Sequence, residues 1–143
     1  MKRIILALAL VLGLASCAMA EKLQCKSAMG TAFTVEVPQG WITKQMQGGC
    51  TLLKQDGSEA ISIAYFPASG ANAKAFAMEL AKKMNVKPTF NAQKDDYVDF
   101  DAVLNGQKLN VSVTGKADDS ELQVVTQKGE SDTLEQIFDS VTF

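Results

Sequence analysis

The stretch YVDFDAVLNGQKLNVSVTGKADDSELQVVT, residues 97–126, decides the fold. Apolar and polar side chains alternate over residues 97–104 and again over residues 109–114, which is typical of half-buried strands. Asn105-Gly106 lies between these two runs, and both residues tolerate the positive φ of a two-residue hairpin turn. A polar turn and another apolar run over residues 122–126 follow. The stretch therefore predicts a three-stranded antiparallel meander.

Further strands and a helix are predicted before this meander. Residues 33–37, 50–54 and 59–66 are predicted strands, and Asp56-Gly57 predicts a hairpin between the last two. The segment over residues 71–84 is a predicted helix, with Asn72 or Ser69 as its N-cap. Its stripe is expected to face the core and consists of Phe76, Leu80 and Met84, flanked by Ala73, Ala77 and Ala81.

A second amphipathic helix is predicted after the meander, beginning at Ser131 or Asp132. Asp132 and Glu135 have the spacing of a capping box. The apolar stripe of this helix is formed by Leu134, Ile137, Phe138 and Val141. Two such helices must each bury a stripe against the antiparallel sheet, which predicts an α+β domain. Whether they cover one face or both depends on what covers the side of Ala60, Ser62 and Ala64.

The remaining segments carry weaker patterns. Residues 21–31 have little periodicity and are interpreted as a lead-in to a single domain over residues 32–143. Residues 45–49 are interpreted as a polar loop ending in two glycines, and residues 90–94 as a loop or an edge strand.

The first 20 residues have the pattern of a secretory signal peptide: a basic start at Lys2 and Arg3, an apolar run, and small residues. Two processing routes fit them. Residues 14–17 resemble a bacterial lipobox, in which Cys17 would be acylated and become the first mature residue. Alternatively, Ala18-Met19-Ala20 is an A-x-A site with cleavage after Ala20, which would discard Cys17. We therefore expect an exported protein, either periplasmic and anchored by lipid at Cys17 or soluble in the periplasm.

Charge and composition exclude several functions for the mature chain. Loss of Lys2 and Arg3 from the 14 basic residues leaves 12 against 16 acids, a net charge of −4. Arg3 is the single arginine, and the chain has no histidine. Without arginine forks and with a net negative charge, nucleic-acid binding is not expected. Histidine-dependent catalytic triads and histidine-containing zinc sites are impossible. We expect no cofactor and no enzymatic activity.

Cysteine usage agrees with export. Cys25 and Cys50 remain after the processing region, and an even pair in an oxidising compartment predicts one disulfide. Closing that loop would contribute about 3.5 kcal/mol in the chain-entropy description of disulfides.

The acidic run over residues 95–101 is the most suggestive polar cluster. On a strand, Tyr97, Asp99 and Asp101 share one face. Asp99 and Asp101 are weak candidates for a hard cation such as calcium, because the spacing lacks the glycine-bearing loop of an EF-hand. A solvated acidic face is the default interpretation. Residues 95–143 hold three lysines and eleven acids, so such a face could also steer a basic partner.

Two short motifs resemble a known family. Residues 33–41, FTVEVPQGW, resemble the opening strand and P-x-G-W turn of the PsbP-like superfamily, and residues 134–143, LEQIFDSVTF, are similar to its closing helix and apolar tail. The resemblance implies a three-layer α/β/α sandwich over residues 32–143. It also implies an accessory or binding protein without catalytic residues.

These observations predict a non-enzymatic accessory or binding protein of the bacterial cell envelope with a protein partner. The alternative is a small-ligand carrier with a pocket between helix and sheet. Its expected lining is Phe76, Met84, Tyr65 and Trp41.

Overall fold

A computed structural model describes residues 21–143, which form nine strands and two helices. Two strands form a separate hairpin: β1 (Glu21–Lys26) and β2 (Ala32–Val37). The other seven form one antiparallel sheet in the order β3-β4-β5-β9-β8-β7-β6. Their bounds are β3 (Trp41–Met46), β4 (Gly49–Lys54), β5 (Ala60–Pro67), β6 (Thr89–Gln93), β7 (Tyr97–Leu104), β8 (Gln107–Thr114) and β9 (Glu121–Lys128). The helices are α1 (Ala73–Met84) and α2 (Asp132–Asp139).

The predicted meander is confirmed in β7, β8 and β9. Asn105 and Gly106 have φ values of 52° and 78°, as the tight turn between β7 and β8 requires. That turn sets the register, which pairs Asp101 with Asn110 and Phe100 with Val111. Because successive side chains point to opposite faces, Phe100 and Val111 lie on one face of the sheet and the polar pair lies on the other.

Helix α1 covers one face of the sheet. It begins after Asn72, whose Oδ1 accepts a hydrogen bond from the Ala75 backbone N–H at 2.9 Å, so Asn72 is the N-cap of the two candidates. The buried stripe of the helix consists of Ala73, Ala77 and Ala81. The expected stripe of Phe76, Leu80 and Met84 is only partly buried and packs along the margin of the same core. Small side chains let the helix lie close over the large residues of β7 and β8.

The opposite face is covered over one half only. There the β1–β2 hairpin and α2 lie over β4 and β5, and their shared core includes Phe33, Leu52, Ile61 and Ile137. Helix α2 begins after Ser131, whose Oγ accepts from the Leu134 N–H at 3.4 Å. The helices therefore lie on both faces, and the predicted α+β fold with layers on each side of an antiparallel sheet is confirmed.

Two segments differ from the sequence-based expectation, and the structure decides a third that was left open. Residues 21–26, interpreted as a lead-in, form β1, because each residue of that segment pairs with β2 and Cys25 is buried. Residues 90–93 belong to edge strand β6, which is one of the two alternatives left open for residues 90–94. Residues 45–46, interpreted as loop, belong to β3, whose exposed pattern gave no periodic signal.

Gly49 is a strand residue rather than the end of the loop interpreted over residues 45–49. It begins β4 and pairs with Ala64 of β5. A Cβ atom at this position would collide with the Ile63 carbonyl oxygen, which belongs to the backbone and cannot swing aside. Only glycine lets β4 approach β5 here.

The signal peptide, both processing routes and the lipidation candidate Cys17 lie outside the described residues. Among residues 21–143, no helix is both long and apolar enough to cross a membrane.

Candidate functional site

One half of the sheet face beside α2 carries polar side chains in place of a covering layer. We call this surface, formed by strands β6 to β9, the open polar face. Because side chains alternate between the two faces of each strand, residues that are far apart in the chain lie together on this face. Its members are Asn91, Asp99, Asp101, Asn110, Ser112 and Gln127.

Asn110 joins the two acidic residues of this face. Its Nδ2 donates hydrogen bonds to Asp99 Oδ1 at 2.8 Å and to Asp101 Oδ1 at 3.0 Å. The Nδ2 of Asn91 donates to the same Asp99 oxygen at 2.8 Å. Side-chain amides thus hold two neighbouring carboxylates in fixed positions on the strand surface.

The hydrogen bond from Asn110 lowers the pKa of Asp101 below its ordinary value, against a smaller opposing effect of desolvation. The positive charge of Lys108 nearby acts in the same direction. A donor that bonds to the charged form of a carboxyl favours that form. Asp101 therefore carries its negative charge throughout the neutral pH range.

A groove of about 590 Å³ lies over this face. Its lining comes from β6, β7, β8, β9 and the turn before α2: Asn91, Asp101, Lys108, Leu109, Asn110, Gln127, Gly129 and Glu130. A second depression of about 480 Å³ continues it along α2 and shares Gln127 and Glu130. The other residues of that depression are Ser131, Asp132, Glu135 and Phe138. We call the two together the acidic groove.

The acidic groove has a net charge of −3, because it holds Asp101, Glu130, Asp132 and Glu135 against Lys108. Asp99 adds a further negative charge beside it. The ion pairs of residues 21–143 lie elsewhere, between Lys54 and Glu59 at 3.6 Å and between Lys82 and Glu79 at 3.9 Å. The carboxylates of the groove are thus neutralised by no cation of the described chain within 4.0 Å.

The two metal candidates lie next to each other but lack further ligands. Asp99 and Asp101 share the amide of Asn110, which occupies one oxygen of each. Within the described part of the chain, no group of three or more histidine, cysteine, aspartate or glutamate residues is placed to hold a metal ion. Calcium prefers six to eight oxygen ligands, so the pair alone does not make a calcium site.

Cys25 and Cys50 are brought together in the core between the hairpin and β4. They are 1% and 0% exposed, and their side chains are in hydrogen-bonding contact. Both are free thiols in this structure, so the predicted disulfide is not formed in it and stays a prediction. Desolvation raises the pKa of each thiol. Protonated thiols are weak nucleophiles, which disfavours a catalytic function.

The lining expected for a small-ligand carrier is divided between two faces of the sheet. Tyr65 and Trp41 belong to the core beneath the hairpin and α2. Phe76 and Met84 pack beside α1 on the other face. The four side chains therefore cannot line one pocket, and that version of the carrier hypothesis is wrong.

Sequence reasoning missed the amides of the site. Asn110 could have been found, because the Asn105-Gly106 turn by itself places it opposite Asp101. Asn91 and Gln127 could not, since their neighbours depend on the order of strands in the sheet and on a register shift in β6.

Comparison with known proteins supports the fold. No family model and no curated protein matches the chain. Among solved structures, the chain is similar to Mog1p, a Ran-binding protein of Saccharomyces cerevisiae, with a TM-score of 0.51. The match covers 87% of this chain and 95% of Mog1p at 9% sequence identity. Such a likeness shows a shared fold: an antiparallel sheet with helices packed on it.

Proposed function

We propose that this chain is an exported, non-enzymatic accessory protein of the bacterial cell envelope that binds a protein partner. The open polar face is the observation that carries the proposal. The strands of this face are long enough to carry a covering layer. However, α2 and the β1–β2 hairpin end over β5 and β9 and do not extend across it. A sheet face ordered by amide–carboxylate hydrogen bonds and left open is suited to contact a partner without first rearranging.

Export is supported by the signal-peptide pattern of residues 1–20 and by the paired cysteines. Acylation of Cys17 is the favoured processing route, since acyl chains would anchor a protein whose described residues offer no membrane-spanning helix. Membership of the PsbP-like superfamily is proposed on the two motifs and on the order of strands and helices.

Site-specific photocrosslinking in the host bacterium tests the binding function. A benzoylphenylalanine placed at Lys108, on the edge of the acidic groove, should form an adduct of one discrete mass with an envelope protein. The matched control places it at Lys82, which is also exposed but lies on α1 on the other side of the sheet. Absence of an adduct at Lys108, or the same adducts at both positions, would overturn the proposal.

A further inference from the structure

We propose that the acidic groove binds an extended, lysine- or arginine-rich segment of a polypeptide partner. This inference rests on the proposed binding function and adds the chemical class of the partner. Three properties of the groove carry it: the sign of its charge, its open shape and the chemistry of its floor.

The charge of the groove defines the sign of its ligand. Asp101, Glu130, Asp132 and Glu135 line it against the single cation Lys108. The carboxylate of Asp101 is held by the Nδ2 of Asn110 at 3.0 Å, so its direction is fixed before a ligand arrives. Complementary charge steers association and suppresses wrong partners, which are here acidic segments.

The shape of the groove favours a chain segment over a compact small molecule. Small-molecule sites are mostly apolar and bury most of their ligand. This groove is open to solvent and continues from β6 across the sheet to Phe138 on α2. An extended segment can follow that path and place successive basic side chains toward the sheet and toward α2.

The floor of the groove supplies partners for a peptide backbone. Asn110 and Gln127 lie opposite each other on β8 and β9, and both present side-chain amides to the groove. The amide of Gln127 offers a donor and an acceptor, as a peptide group does. The Nδ2 of Asn110 already donates to Asp99 and Asp101, so Asn110 offers its Oδ1 as an acceptor. Phe138 adds apolar contact for the methylene stems of lysine or arginine.

Binding of synthetic peptides to the purified protein tests the inference. The probe is a fluorescent peptide of alternating lysine and serine, and its counterpart has glutamate in place of lysine. We expect saturable binding of the lysine peptide alone, and a loss of affinity when NaCl rises from about 50 mM to about 500 mM. The double variant Asp101→Asn, Glu130→Gln should bind about tenfold more weakly. The control variant Glu79→Gln, whose carboxylate lies on α1, should bind like the wild type.

Each other outcome overturns the inference. These outcomes are equal binding of both peptides, equal loss in the Glu79→Gln control, full competition by spermidine at matched charge, and concentration-dependent self-association that blocks the peptide. Circular dichroism shows whether the double variant is folded. If it is not, Asp132→Asn is the second variant with which the loss of peptide binding is measured. If the lysine peptide fails while the Lys108 crosslink forms, the partner is not a basic segment and the binding function stands.

Discussion

Asn110 holds together the two charged residues of the open polar face. One nitrogen donates to Asp99 and to Asp101, so two carboxylates share a single donor. Burial raises the pKa of a carboxyl group, whereas hydrogen bonds to the charged form lower it. At Asp101 the hydrogen bond prevails.

Removing this amide should change the titration of Asp101. We expect Asn110→Ala to raise the pKa of Asp101, because the largest cause of its lowering is lost. In the wild type the folded-state pKa is below the unfolded value of about 3.9. The carboxylate therefore stabilises the fold above that pH, and this contribution is lost as pH falls through the folded-state pKa. NMR titration of the Asp101 carboxyl carbon measures the change.

The control for this titration is Gln136→Ala, which removes an exposed amide from α2. It should leave the Asp101 pKa unchanged. An Asn110→Ala protein with the wild-type pKa would contradict the assigned hydrogen bond.

Cys25 and Cys50 are buried, and their thiol groups are in contact with each other. Desolvation raises both pKa values, so the folded, reduced protein holds almost no thiolate. Oxidation to the predicted disulfide is therefore expected before the hairpin docks on β4.

Alkylation kinetics check this expectation. In the reduced, folded protein, we expect iodoacetamide to modify neither thiol until urea unfolds the chain. Protein isolated from the envelope without reductant should be lighter by two hydrogens than the reduced protein. Rapid alkylation of both thiols in the folded state would be incompatible with their burial.

Helix α1 shows which features of an element can be predicted from sequence periodicity and which cannot. Its presence and its end before Pro88 follow from the sequence, and Asn72 is one of the two N-cap candidates that the sequence offers. The sequence places Ala73, Ala77 and Ala81 beside the stripe but not at its buried centre, because alanine is a weak hydrophobic signal next to Phe76 and Leu80. Close approach to β7 selects the small residues, and that requirement is visible only in three dimensions.

Enlarging the alanine stripe should separate α1 from the sheet. We expect Ala77→Leu to destabilise the protein by about 1–3 kcal/mol, because Ala77 is 1% exposed and has no space for a larger side chain. The matched control is Met78→Leu, at a position that is 40% exposed, with an expected change within about 0.5 kcal/mol. Urea unfolding measures both. A neutral Ala77→Leu variant would show that the helix is not packed on that stripe.

The strands were predictable where one face is buried and the other is exposed to solvent. Strands β7 and β8 have that alternation, and β9 was predicted from the apolar run over residues 122–126. Strand β3 was not, because most of its residues are exposed on both sides at the edge of the sheet. Strand β1 was not, because Cys25 is its single buried residue and the strand depends on pairing with β2 and on contact with β4. The amide positions of the groove depend on the same long-range pairing.

At the scale of the whole molecule, two helices are too few to cover both faces of a seven-stranded sheet. Helix α1 covers the face that bears Phe100 and Val111, while α2 and the hairpin cover only part of the other. Three of the four strands of the uncovered part, β7, β8 and β9, belong to the acidic segment over residues 95–143. The open polar face is therefore also the site of concentrated negative charge.

The mature mass of the protein tests the proposed processing. Acylation predicts a chain that begins at Cys17 and carries the mass of its acyl groups. Intact-mass spectrometry of protein extracted from the envelope measures it. A mature chain that begins at Glu21 with no added mass would contradict the lipid anchor while leaving the signal peptide in place.

The central claim is that the partner binds to the open polar face and not to the parts of the molecule where helices or the hairpin cover the sheet. Titration of the isotope-labelled protein with the lysine–serine peptide, followed by two-dimensional NMR, tests it most directly. We predict that the largest shifts appear in the side-chain amide signals of Asn91, Asn110 and Gln127 and in the backbone around Glu130, with none on α1. Shifts centred on α1 or on β3, or no shifts at saturating peptide, would contradict the account.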